Sequence, residues 1–116
     1  MTGIHLLVIE SWDPAPRRPL ILKSGDRLTV GDRDTEWTAY LWCTSSDGTG
    51  GWVPQDYLVI AEDGTATATA DYSTVELAVE VGDVVAGYQS AGNWTWCVGE
   101  GGRAGWVPNR ALSRST

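Results

Sequence analysis

Few side chains in this chain have the types and spacing that chemistry requires. The single histidine, His5, lies in an apolar stretch running from Ile4 to Ile9, with no carboxylate or nucleophile close by in sequence. Neither acid–base catalysis nor metal ligation is expected of it. Asp32, Asp34 and Glu36 alternate along one charged segment and are candidates for weak cation binding, but the glycine-containing spacing of a calcium loop is missing. Cys43 and Cys97 lack zinc spacing, and no glycine-rich phosphate cradle opens a helix. No metal or cofactor is expected. What remains is aromatic: seven Trp and four Tyr, with five Pro and no Phe, in 116 residues. Aromatic rings offer apolar contact surface, so the expected chemistry is recognition.

The rings recur at a fixed interval. Trp42-Cys43 and Gly51-Trp52-Val53-Pro54 return 54 residues later as Trp96-Cys97 and Gly105-Trp106-Val107-Pro108. Gly25-Asp26 returns as Gly82-Asp83 after 57 residues, which places a three-residue insertion in a loop of the first copy. One small unit is therefore written twice, and residues 1–61 and 65–116 are the expected domains. Each is near the lower size limit for independent folding, so the halves are expected to pack together. Between them stand only Glu62-Asp63-Gly64, too few residues to separate two domains widely.

The elements that must hold these rings are short strands. Fourteen glycines, frequent β-branched residues and the absence of long helix-compatible runs predict an all-β chain. In the first copy, strands are expected at Ile4–Ile9, around Leu20 and Leu22, around Leu28 and Val30, and over 38–44, 51–53 and 57–60. Gly31 to Glu36 reads as a charged loop and Pro54-Gln55-Asp56 as one tight helical turn. The second copy repeats the pattern with strands over 65–70, 76–81, 84–88, 94–98 and 105–112, and with a polar loop from Gln89 to Asn93. Residues 65–70 alternate Thr with Ala, a small face suited to close packing. Trp52 is placed across a hairpin from Trp42, and Cys43 and Cys97 face each copy's core as reduced thiols. Pro16-Arg17-Arg18-Pro19 reads as a stiffened loop, and Arg114 to Thr116 as a frayed end.

In that order of motifs the second copy resembles the Src-homology-3 (SH3) domain. Ala68-Thr69-Ala70-Asp71-Tyr72, Glu76-Leu77, Gly82-Asp83, Trp94-Thr95 and Gly102-Arg103-Ala104-Gly105-Trp106-Val107-Pro108 stand where that family has its signature. The first copy matches from Leu20 and Gly25-Asp26 through Gly48-Thr49-Gly50-Gly51-Trp52-Val53-Pro54-Gln55-Asp56-Tyr57-Leu58. The resemblance covers nearly the whole chain and implies two tandem five-stranded SH3-like β-barrels, similar to small bacterial proteins built only of such domains. It also implies a shallow groove that accepts a polyproline helix, a ligand already ordered before it docks. Carried over position by position, the first copy has Glu10, Trp12, Tyr40, Pro54 and Tyr57 at the groove positions, and the second has Ala70, Tyr72, Trp94, Pro108 and Ala111. Trp12 to Leu20 also spans the longer loop. The ligand site is therefore expected on the first copy, at Trp12, Tyr40, Pro54 and Tyr57, edged by Asp13 and Trp37. In the family the acidic loops contact an Arg or Lys beside the prolines, a role open to Asp13, Asp32, Asp34 and Glu36.

The expected function is a non-catalytic protein-interaction module for a protein or peptide partner, proline-containing with Arg or Lys. Alternatives are a peptidoglycan-binding module of bacterial cell-wall type and an accessory domain pair of an enzyme. Fifteen acidic against eight basic residues give a net charge of −7, which disfavours nucleic acid. The apolar run Leu6 to Ile9 is too short for a leader or a membrane span, so a cytoplasmic address and no membrane partner are expected. A monomer or weak homo-oligomer completes the expectation.

Overall fold

The computed structural model describes residues 3–15 and 17–114. Pro16, the first residue of the stiffened loop, and Ser115-Thr116 of the frayed end lie outside the described residues. Twelve strands form along the described chain: β1 Ile4–Val8, β2 Ile21–Leu22, β3 Arg27–Arg33, β4 Tyr40–Thr44, β5 Gly50–Pro54, β6 Leu58–Ile60, β7 Thr65–Ala68, β8 Tyr72–Ser73, β9 Val84–Ala91, β10 Trp94–Val98, β11 Ala104–Pro108 and β12 Leu112–Arg114. They make two small all-β barrels.

The barrels are assembled across the repeat. One compact unit is residues 17–74, with the sheet order β5-β4-β3-β7-β6 and a second pair β2-β8. The other is residues 1–16 together with 75–116, with the order β11-β10-β9-β1-β12. The first strand of each copy has changed places: β1 pairs with β9 and β12, while β7 pairs with β3 and β6. In chain order, the 17–74 barrel is inserted into the long first loop of the other and begins and ends inside its own. The compact units thus do not coincide with 1–61 and 65–116, the division that the repeat sets.

The linker favours the exchange. Glu62-Asp63-Gly64 is the turn of a β-hairpin, with the Ala61 carbonyl accepting from the Gly64 amide at 3.3 Å and the Ala61 amide donating to the Thr65 carbonyl at 2.8 Å. Gly64 takes φ +85°, a conformation open to glycine, and the Asp63 carboxylate accepts from the Thr65 amide and hydroxyl. A turn this tight can lay β7 only along β6, so Leu58 faces Ala68 and Ile60 faces Ala66.

The repeated Gly-Asp pair has a similar local cause. Asp26 accepts from the Lys23 amide and Asp83 from the Glu80 amide, each at 2.9 Å, and Gly25 and Gly82 both sit at φ +97°. These turns lead into β3 and β9, which run further than the sequence pattern suggests. The charged segment from Gly31 extends β3 to Arg33, and the polar segment from Gln89 extends β9 to Ala91. A register shift in each ladder, between Val30 and Arg33 and between Trp96 and Cys97, bends the strand and lets it continue. No strand forms over 76–81; only isolated bridges tie Glu76 to Trp106 and Val79 to Trp12.

Val8, Leu77, Val79, Val85, Cys97, Val107 and Ala111 are one barrel's buried cluster, with Leu6, Trp12 and Leu112 packed against it. Leu20, Leu22, Leu28, Tyr40, Cys43, Val53, Leu58, Ala66, Ala68 and Tyr72 are buried in the 17–74 barrel. Both cysteines are fully buried and free, as their place beside the repeated Trp suggests.

Candidate ligand-binding site

In the 17–74 barrel, four of the groove positions come together. Tyr40 opens β4 directly opposite Pro54, the last residue of β5. Pro54 leads into a single 3-10 turn, Gln55–Tyr57, held by the Gln55 amide donating to the Ala39 carbonyl at 2.8 Å. Its fixed φ near −61° starts that turn and places the Tyr57 ring back toward the barrel. The fourth ring is Tyr72 of β8, edge-on to Tyr57 with centroids 5.3 Å apart. Its hydroxyl donates to the Trp52 carbonyl at 3.3 Å. Burial, reinforced by the neighbouring Tyr57, pushes the Tyr40 phenol well above its ordinary range, so it stays protonated. Tyr40 is 4 % and Tyr72 8 % exposed, and Pro54 is buried; they form a fixed floor. Tyr57 and Trp37 are half-buried and present ring surface to solvent.

Trp37 belongs to a folded-back turn at the edge of this barrel. Its carbonyl accepts from the Tyr40 amide at 3.0 Å, and the Asp34 amide donates to the Tyr40 carbonyl at 2.9 Å. Asp34 spends its carboxylate on the Glu36 amide, which stabilises the turn. Asp32 and Glu36 remain exposed acids on the same segment.

The other barrel holds Trp12 and Asp13. Trp12 meets Trp94 edge-on, with centroids 5.4 Å apart, its indole N–H donates to Glu76 Oε1 at 3.1 Å, and the Arg110 guanidinium lies 5.8 Å from its ring centroid. Trp94 faces Pro108 across β10 and β11. Ala111 stands at the place of Tyr57, and Glu10 is exposed. Trp12 is already engaged by the Trp94 ring, through its N–H and on one face.

The six expected site residues are therefore divided. Trp37, Tyr40, Pro54 and Tyr57 share the 17–74 barrel, whereas Trp12 and Asp13 are in the other unit. The tight turn at 62–64 leads the first loop of the second copy, and Tyr72 with it, into the 17–74 barrel. Tyr72 is the residue that repeat-by-repeat reading misses. The signal for it is the three-residue link itself.

Other expected constellations resolve into structural roles. Trp42 faces Trp52 and Trp96 faces Trp106 in register, each pair edge-on with centroids at 5.1 and 5.3 Å. Arg17 lies 6.0 Å from the Trp42 ring centroid, and Arg18 pairs with Asp47 at 3.1 Å, so the basic residues of the proline-rich loop are held by their own barrel. Burial pushes both thiols up to about 11, which leaves Cys43 and Cys97 poor nucleophiles at neutral pH. Among the described residues no three His, Cys, Asp or Glu are grouped to hold a metal ion, and no helix is long and apolar enough to cross a membrane.

The family model described as variant SH3 domain matches the chain twice, over residues 5–61 and 65–114. No match to the chain was found among curated proteins or among solved structures. Domains of this family are in general small all-β modules that bind proteins or peptides without catalysis. Two matches that together span nearly all of the sequence, with the repeated Gly-Asp turns and groove prolines in place, make this chain a member of the variant SH3 domain family.

Proposed function

We propose that the chain is a non-catalytic interaction module whose ligand site is the groove of the 17–74 barrel, and that its ligand is a proline-containing peptide carrying Arg or Lys. The observation that carries this reading is the convergence of Tyr40, Pro54, Tyr57 and Tyr72 in one barrel. A floor of locked rings costs little entropy when a stiff, extended ligand is laid on it. Ligand contact falls to the half-buried Tyr57 and Trp37, and the exposed carboxylates of Asp32 and Glu36 favour a basic flank. With the floor buried, the contact is shallow, and micromolar affinity, about −8 kcal/mol, is its upper range.

Calorimetric titration with a proline-rich peptide bearing one Arg, against the same peptide with its prolines replaced by Ala, tests the reading. Tyr57→Ala should weaken binding by about tenfold or more, with the thermal midpoint measured alongside to confirm the fold. Trp94→Ala, in the other barrel, should leave affinity unchanged. Loss of binding on Trp94→Ala with Tyr57→Ala silent would move the site to the other barrel.

A further inference from the structure

We infer that side-chain volume in the two cores, and not the short turn alone, selects the exchanged pairing of β1 and β7, and so fixes which aromatic ring completes each groove. The two barrels repeat each other position by position, which makes each an internal control for the other. Across the β1–β9 ladder Leu6 faces Val85, and across the equivalent β7–β3 ladder Ala66 faces Leu28. The same register makes Val8 and Ala68 equivalent: Val8 faces Leu112 as Ala68 faces Leu58. The 57-residue offset of the Gly-Asp turns makes Leu22 equivalent to Val79 and Leu28 to Val85.

Volume is distributed in opposite senses. The strand entering the 17–74 barrel brings Ala66 and Ala68, and that barrel supplies Leu22 and Leu28; all four are at most 3 % exposed. The strand entering the other barrel brings Leu6 and Val8, and there the partners shrink to Val79 and Val85. Large strand meets small partners, and small strand meets large ones. In the unexchanged arrangement Leu6 would face Leu28, and Leu6 and Val8 would share a core with Leu22 and Leu28, each one methylene larger than the Val79 and Val85 they now pack among. Ala66 would face Val85, and Ala66 and Ala68 would share a core with Val79 and Val85 and leave space unfilled. Interiors are packed densely enough that both mismatches are felt.

The aromatic consequence follows from chain connectivity and rests on the groove reading above. Four residues after Ala68 comes Tyr72, and four after Val8 comes Trp12. The strand that fits a core therefore carries a ring with it, and Tyr72 is delivered to Tyr40, Pro54 and Tyr57.

Cross-linking of the full chain separates volume from turn. Leu7 faces Val84 in the exchanged ladder, and Arg27 holds the position equivalent to Val84 in the other barrel. L7C/V84C therefore reports exchange and L7C/R27C its absence, with the buried native thiols left in place and the links mapped by peptide mass spectrometry. A long Gly/Ser insert after Asp63 removes the constraint of the turn. With the native core and the insert, L7C/V84C should still form the majority cross-link and L7C/R27C little. With the insert and the volumes interchanged, as L6A/V8A/A66L/A68V, the preference should reverse. A native core that gives mostly the L7C/R27C link once the insert is present would overturn the inference, as would an interchanged core that keeps the L7C/V84C preference. Neither readout involves a ligand, so failure here is distinct from failure of the peptide titration.

Discussion

Residues 17–74 should fold when expressed alone, whereas residues 1–61 should be much less stable, although the second fragment is a complete copy in sequence. The excised 17–74 chain keeps both hydrogen-bonded neighbours of β7 and the β2–β8 pair. The 1–61 chain lacks β7, and with it the buried methyls of Ala66 and Ala68, the ring of Tyr72 and the ladders on both sides of the strand. Two methyls at about 0.8 kcal/mol each, a buried aromatic at about 2 kcal/mol and several backbone bonds near 1 kcal/mol each amount to roughly 5 kcal/mol or more. That is comparable to the whole stability of a small domain. β1 can stand in for β7 in the fragment, but it brings Leu6 and Val8 against Leu22 and Leu28, an overpacking worth about 1–3 kcal/mol. At a urea slope near 1 kcal/mol per molar, the midpoint of 1–61 should fall at least about 1–3 M below that of 17–74. Tryptophan fluorescence follows both unfolding curves, since Trp37, Trp42 and Trp52 are present in each fragment, and a Trp12→Phe change in 1–61 makes the reporters the same. Equal midpoints, or a more stable 1–61, would refute the assignment of β7 to this barrel.

Three further outcomes are expected. Gly105→Ala should cost roughly 2–4 kcal/mol, because a Cβ there would lie 2.6 Å from the backbone of Glu76 and Leu77, and chemical denaturation at neutral pH measures it; an effect under about 0.5 kcal/mol would mean the backbone moves freely. Both thiols should resist a disulfide reagent in the native protein and react fully in denaturant, whereas a Cys43–Cys97 bridge in protein kept reduced would contradict their burial in separate barrels. The thiols also set an alkaline limit: their folded values near 11 exceed the usual 8.5, so the fold favours the protonated form. That stability is complete below about pH 8.5 and is lost as pH rises toward 11, on the order of 3 kcal/mol per thiol, with urea midpoints flat from pH 6 to 8 and falling above.

Much of the fold was legible because it is local. Turn chemistry at Gly25-Asp26 and Gly82-Asp83, the facing of Trp42 by Trp52 and the inward placement of Cys43 and Cys97 all follow from residue type and strand parity. Exchange is non-local, and parity is blind to it: β1 and β7 have the same alternation, and either can sit in either barrel. What distinguishes them is volume, Leu6 and Val8 against Ala66 and Ala68, together with a link just long enough for a hairpin. The small face of residues 65–70 was visible in the sequence, but its meaning depends on the large partners Leu22 and Leu28, which lie in the other copy. The candidate site inherited this blindness. That Tyr40, Pro54 and Tyr57 share one barrel was legible from one copy's own motifs, whereas the arrival of Tyr72 there in place of Trp12 required knowing which strand crosses.

Amide shift mapping of the full chain with the Arg-bearing proline-rich peptide tests the site and its composition together. Shifts should cluster at Trp37, Tyr40 and Tyr57 of the first copy and at Tyr72 of the second, with Trp12 and Trp94 quiet. Shifts centred on Trp12 and Trp94, or a first-copy cluster that includes Trp12 and omits Tyr72, would contradict the account.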